Sequence, residues 1–114
     1  MTNTIVETDG VWILNATSLI DEIENKKLLE AFEKPFENGN CRLIVNLEGM
    51  TYMNSVGLSL LISLLTRARS GGGEVVIAAV PAVIDKLLVV TKLKDVFTVA
   101  PSVQEGMEAL LASK

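Results

Sequence analysis

The chain has 114 residues, of which 49% are hydrophobic and 21% charged, enough for one globular core and too few for two. Fourteen acids against ten scattered bases give a net charge of −4, which argues against nucleic acid as a direct partner and favours a basic protein surface. Histidine is absent and Cys41 stands alone, so Ser-His-Asp and Cys-His catalysis, a disulfide framework and a Cys/His metal cluster are excluded.

The opening "MTNTIVETDG" carries neither a charged n-region nor an apolar h-region, and the longest apolar run, "VVIAAVPAVI", is about half of the roughly 20 residues a spanning helix needs. A soluble cytoplasmic protein is expected, with no membrane insertion and a single domain over residues 1–114. "TIVET" and "VWILNA" flank Thr8-Asp9-Gly10, and an Asp-Gly pair between apolar segments predicts an antiparallel hairpin. "IDEIENKKLLEAFEKPFENGN" places Ile20, Ile23, Leu28, Phe32 and Phe36 near helical spacing, which predicts an amphipathic helix bent or ended near Pro35.

"RLIVNLEG" and "EVVIAAV" are nearly continuous runs of Leu, Ile and Val, the pattern of strands covered on both faces at the centre of a sheet. Between them "SVGLSLLISLLTRARSGGG" has the length of a crossover helix ending in glycines, completing a right-handed βαβ unit. Pro81 opens a short helix with Val83, Ile84, Leu87 and Leu88 as its core face, and "DVFTVA" reads as a further strand. Ser102-Val103-Gln104-Glu105 is a capping box before a terminal helix whose one face carries Val103, Met107, Leu110 and Leu111. The order ββαβαβαβα predicts an α/β fold: a mixed, mostly parallel five-stranded sheet with an antiparallel N-terminal hairpin and about four helices.

Chemistry concentrates at "TYMNSVGLSLLISLLTRA", where Asn54 and Ser55 stand between a buried strand and an apolar helix. Sites in such sheets form outside the carboxyl ends of strands, and the first helix amides, those of Gly57 and Leu58 among them, favour a negative group. Ser55 is therefore either a plain N-cap or a hydroxyl that holds phosphate. Ser55, Ser59, Ser63, Thr66 and Ser70 fall on one helical stripe, with Leu58, Leu61, Ile62 and Leu65 on the opposite one; the small polar stripe is either a docking surface or a half-buried face. A nucleophile elbow fails because Met53 occupies the position of its first glycine, and "SGGGE" follows a helix and precedes a strand, the reverse of a phosphate-binding loop.

The stretch "RLIVNLEGMTYMNSVGLSLLISLLTRARSGGGEVVIAAVPAVIDKLL" resembles the STAS domain of bacterial anti-sigma factor antagonists, in which a strand, a short loop and Asp-Ser-Ser-Gly or a near variant open a long helix. The resemblance covers nearly the whole chain. It implies a protein without enzymatic activity or cofactor that switches partners: an anti-sigma factor serine kinase binds and phosphorylates it at Ser55, and a serine phosphatase reverses the step. Asp21 matches an acidic residue near the phosphorylation site, within Ser18-Leu19-Ile20-Asp21, where the family has Gly-Glu-Leu-Asp. Asn54 replaces the motif's aspartate and Val56 its small Ser or Ala. The implied partner surface comprises Asp21, Asn54, Ser55, Val56, Gly57, Ser59 and Ser63. A scaffold or accessory subunit of a signalling or lipid-transport complex, with Ser55 merely capping the helix, is the alternative within the fold; a small enzyme or nucleotide-binding domain is the alternative outside it.

Overall fold

A computed structural model describes residues 3–112. Strands β1 (Thr4–Thr8) and β2 (Val11–Asn15) form the expected hairpin, closed by Asp9 and Gly10 at φ 53° and 79°. Two successive left-handed residues match the right-handed twist of the paired strands, which is why Asp-Gly closes the turn. Helix α1 (Glu22–Glu37), β3 (Arg42–Asn46), α2 (Ser55–Ser70), β4 (Glu74–Ala78), α3 (Ala82–Val90), β5 (Thr98–Ala100) and α4 (Val103–Ala112) follow. The strands lie in sequence order, β1 antiparallel to β2 and the rest parallel.

Period-two alternation divides β3 and β4 between two cores. Leu43, Val45, Val75 and Ile77 face Phe32 of α1, Leu61 and Leu64 of α2, and Ile84 and Leu88 of α3. Ile44, Val76 and Ala78 face Leu110 of α4 on the other side. Three helices thus cover one face and α4 the other, so both faces of these strands are apolar. Since β2, β3 and β4 are parallel, the helices that follow them each begin at the sheet's carboxyl edge.

Several expectations need correction, though not the end of helix α1, which stops at Glu37, two residues past Pro35: a proline in the last turn forfeits one amide bond while Phe36 stays buried and stacks on Phe32 with ring centroids 5.5 Å apart. Its core stripe is Asn25, Leu29, Phe32 and Phe36, leaving Ile20 and Ile23 exposed. On α2 the buried face is Gly57, Leu60, Leu61, Leu64, Leu65 and Ala68; Leu58 is half-buried and Ile62 exposed. Val83 of α3 also faces out, and β5 is only Thr98–Ala100, with Phe97 buried in the turn before it.

Of the three glycines after α2, Gly71 and Gly73 are required by packing and Gly72 by its φ of 86°. A Cβ at Gly73 would overlap the Cys41 carbonyl, and one at Gly71 the Cys41 sulfur. Cys41 is therefore a packed core thiol, and burial pushes its pKa up.

Candidate functional site

The head of α2 is organised by Asn54. Its backbone is extended, and its Oδ1 accepts from the amides of Val56 at 3.1 Å and Gly57 at 3.2 Å, while its carbonyl accepts from the Leu58 amide at 3.1 Å. Asn54 is the N-cap and Ser55 the first helical residue, so the reading of Ser55 as the cap does not hold. The Gly57 and Leu58 amides, expected to await a negative group, are both engaged by Asn54. Asparagine caps as well as aspartate does, so the change from the family's motif leaves the cap intact.

Ser55 itself is exposed, and among the described residues its hydroxyl has no hydrogen-bond partner. The first turn of α2 contains no acid. A hydroxyl with no structural duty, at the positive end of a 16-residue helix, is sterically open to modification.

Behind it the loop is fixed by close approach. A Cβ on Gly57 would lie 2.9 Å from Met53 Cγ and 3.3 Å from both Cβ and O of Leu19. Asn25 Nδ2 donates to the same Leu19 carbonyl at 2.8 Å. The β2–α1 loop and the β3–α2 loop are thereby held against each other, and Asp21 at the end of the former caps α1, its Oδ1 accepting from Ile23 N at 2.8 Å and Glu24 N at 3.2 Å.

Of the residues anticipated from sequence, Ser55, Val56, Ser59 and Ser63 line one groove between α1 and α2, with a volume of about 340 Å³. Asp21, Asn54 and Gly57 do not line it: two are caps and the third is a buried spacer. Facing the serines from α1 are Glu22, Asn25 and Lys26, which sequence reasoning missed. Asn25 was detectable, as the polar member of the stripe that continues through Leu29, Phe32 and Phe36.

Apolar side chains surround this edge. Ile20 is 48% exposed, Ile23 69%, Tyr52 59% and Val83 64%, drawn from the β2–α1 loop, the start of α1, the β3–α2 loop and the start of α3. Tyr52 and Val83 share a second groove of about 290 Å³ with Met53 and Leu87. Large exposed apolar residues clustered at one edge mark an interaction surface. Among the described residues no His, Cys, Asp or Glu cluster could hold a metal, and no helix is long and apolar enough to cross a membrane.

The molecule is thus an α/β domain with three helices on one face of its sheet, one on the other, and an open serine at the head of the second crossover helix. The chain belongs to the STAS domain family, whose profile matches residues 3–106. Similar solved structures include a proposed anti-sigma factor antagonist from Thermotoga maritima (21% identity, 95% of this chain and 93% of that one, TM-score 0.81). An anti-sigma-factor antagonist domain protein from Planctomyces limnophilus matches at 17% identity over 96% and 97% of the two chains, TM-score 0.79. The phosphorylated form of the Bacillus cell fate determinant SpoIIAA matches at 13% identity over 95% and 98%, TM-score 0.76. At these identities the likeness is one of fold.

Proposed function

We propose that the protein is a cytoplasmic, non-enzymatic anti-sigma factor antagonist that acts by partner switching. In its unmodified form it docks the carboxyl edge of the sheet, centred on Ser55, onto an anti-sigma factor serine kinase. The kinase phosphorylates Ser55 and is released, and a serine phosphatase restores the docking form. Asp21, Asn54 and Gly57 act by setting the two loops that carry the surface, while Ser55, Val56, Ser59 and Ser63 belong to the surface itself.

The observation that carries the reading is the division of labour between Asn54 and Ser55. Asn54 satisfies the helix end, which leaves the Ser55 hydroxyl exposed and unbonded at the carboxyl edge of the sheet, the edge whose loops and helix starts also carry exposed Ile20, Ile23, Tyr52 and Val83. The alternative in which Ser55 serves only as the cap loses its premise. Phosphate would add about 1.5 to 2 negative charges there. The nearest first-turn amides are already used by Asn54, so the charge would have to be desolvated on docking with little compensation, and the contact would be lost. Because Asn54 cannot accept a proton from Ser55, the kinase would supply the base.

The reading is tested by mass spectrometry of the protein from its native cells, together with capture of its kinase. Phosphate on Ser55, and loss of the kinase on phosphorylation, are expected. A kinase that phosphorylates another residue, or that binds both forms equally, contradicts it.

A further inference from the structure

Asn25 is 5% exposed, and its Oδ1 has no hydrogen-bond partner, although its Nδ2 is bonded to Leu19. An unpaired buried amide oxygen is costly, by more than a typical paired bond contributes, so its retention calls for a donor. Asn25 lies in the wall of the α1–α2 groove, opposite Ser55, Ser59 and Ser63. From this we infer that the groove receives a backbone amide of a protein partner's extended segment, whose N–H is accepted by Asn25 Oδ1. The inference rests on the proposed reading of this edge as a docking surface and names what enters it.

Charge and dimensions select this occupant. The groove holds one acid, Glu22, and one base, Lys26, so it has no net preference for an ammonium, a guanidinium or a carboxylate. A neutral group that donates fits both the unpaired oxygen and the cancelled charge. From Ser55 to Ser63 the groove runs eight residues of helix, about 12 Å at 1.5 Å per residue, the length of three to four extended residues at about 3.3 Å each. The Oδ1 atom has under 1 Å² of exposed surface, so binding requires a flanking side chain to turn aside as the donor enters. The α2 wall offers, beside Val56 and Leu60, the short hydroxyls of Ser55, Ser59 and Ser63, which can bond the peptide's carbonyls. A phosphate on Ser55 would stand in the mouth of this groove, which links the inference to the switch.

The test is a nuclear magnetic resonance titration of the isotope-labelled full chain with acetyl-trialanine methylamide, and with the same peptide N-methylated at every amide. The first should give saturable shifts at the Asn25 side-chain amide and at Ser59 and Ser63. The second, which has no N–H to donate, should bind about tenfold more weakly, as should the first to N25L. Acetate and methylammonium should leave these signals unmoved. A spectrum of N25L that keeps its dispersion separates loss of the acceptor from loss of fold; if N25L unfolds, the comparison of the two peptides on the wild-type chain decides. Equal binding of both peptides, no saturable shift, or tighter binding of either ion would overturn the inference. Since no kinase is present, failure of the switch and failure of the groove remain distinguishable.

Discussion

If Asn54 caps α2 and Ser55 does not, alanine at the two adjacent positions should have very different effects on stability. Asn54→Ala removes an acceptor shared by two amides, of which Gly57 is buried and Val56 half-buried, so water cannot fully replace it. Loss of an N-cap costs about 0.5–2 kcal/mol, and the burial of these amides places Asn54 in the upper half of that range. For a domain near this size each kcal/mol lowers Tm by about 4 °C or more, so a fall of about 4–8 °C is expected. Ser55→Ala deletes an exposed, unbonded hydroxyl and should stay within about 0.5 kcal/mol of wild type. Urea unfolding followed by circular dichroism, with unchanged m-values, measures both. If Ser55→Ala is the more destabilising variant, Ser55 holds the helix end in solution and the argument for a free hydroxyl fails.

The register of α2 predicts that Leu61→Ala, at a fully buried position, costs about 2–5 kcal/mol, whereas Ile62→Ala, at a position 41% exposed, costs about 1 kcal/mol or less in the same assay. Gly57→Ala should destabilise by about 1–3 kcal/mol, because the new Cβ meets Met53 and the Leu19 backbone; a neutral result would show that the two loops are not in close contact. Cys41 gives a pH signature. Its folded pKa lies above the ordinary 9.0, so its contribution is complete well below that value, and it is lost as pH rises from there toward the raised folded value. Stability should therefore decline above about pH 9, and Cys41→Ala should flatten that part of the profile; an equal slope in both proteins would contradict the assignment.

The fold was readable because each element carried its own signal: Asp9-Gly10 for the hairpin, two unbroken apolar runs for the central strands, and Ser102, whose Oγ accepts the Glu105 amide at 3.1 Å, for α4. The facing of the helices was less so. In α2, Leu58, Leu60, Leu61, Ile62, Leu64 and Leu65 are all apolar, and composition cannot tell which of them touch the sheet; the Gly57 approach to Leu19 does. Ile20, Ile23 and Val83 fall at core spacing yet are exposed, because an apolar residue at helical spacing looks the same whether it covers the sheet or serves a partner. Which residue caps α2 is not legible from sequence either, since Asn and Ser are both good caps and only the backbone shows which of them stands outside the helix. Of the groove's α1 residues, Glu22 and Lys26 were out of reach of local pattern, being brought to Ser55 by the packing of α1 on α2.

The proposed switch requires that negative charge on Ser55 control docking without altering the fold. It is tested most directly by titrating the purified anti-sigma factor kinase with wild-type, Ser55→Ala and Ser55→Asp proteins in one calorimetric series, with melting curves of each. Tight binding is expected for wild type and alanine, binding weaker by about tenfold or more for aspartate, and melting temperatures within about 2 °C of one another. Equal affinity of all three proteins for the kinase would contradict it.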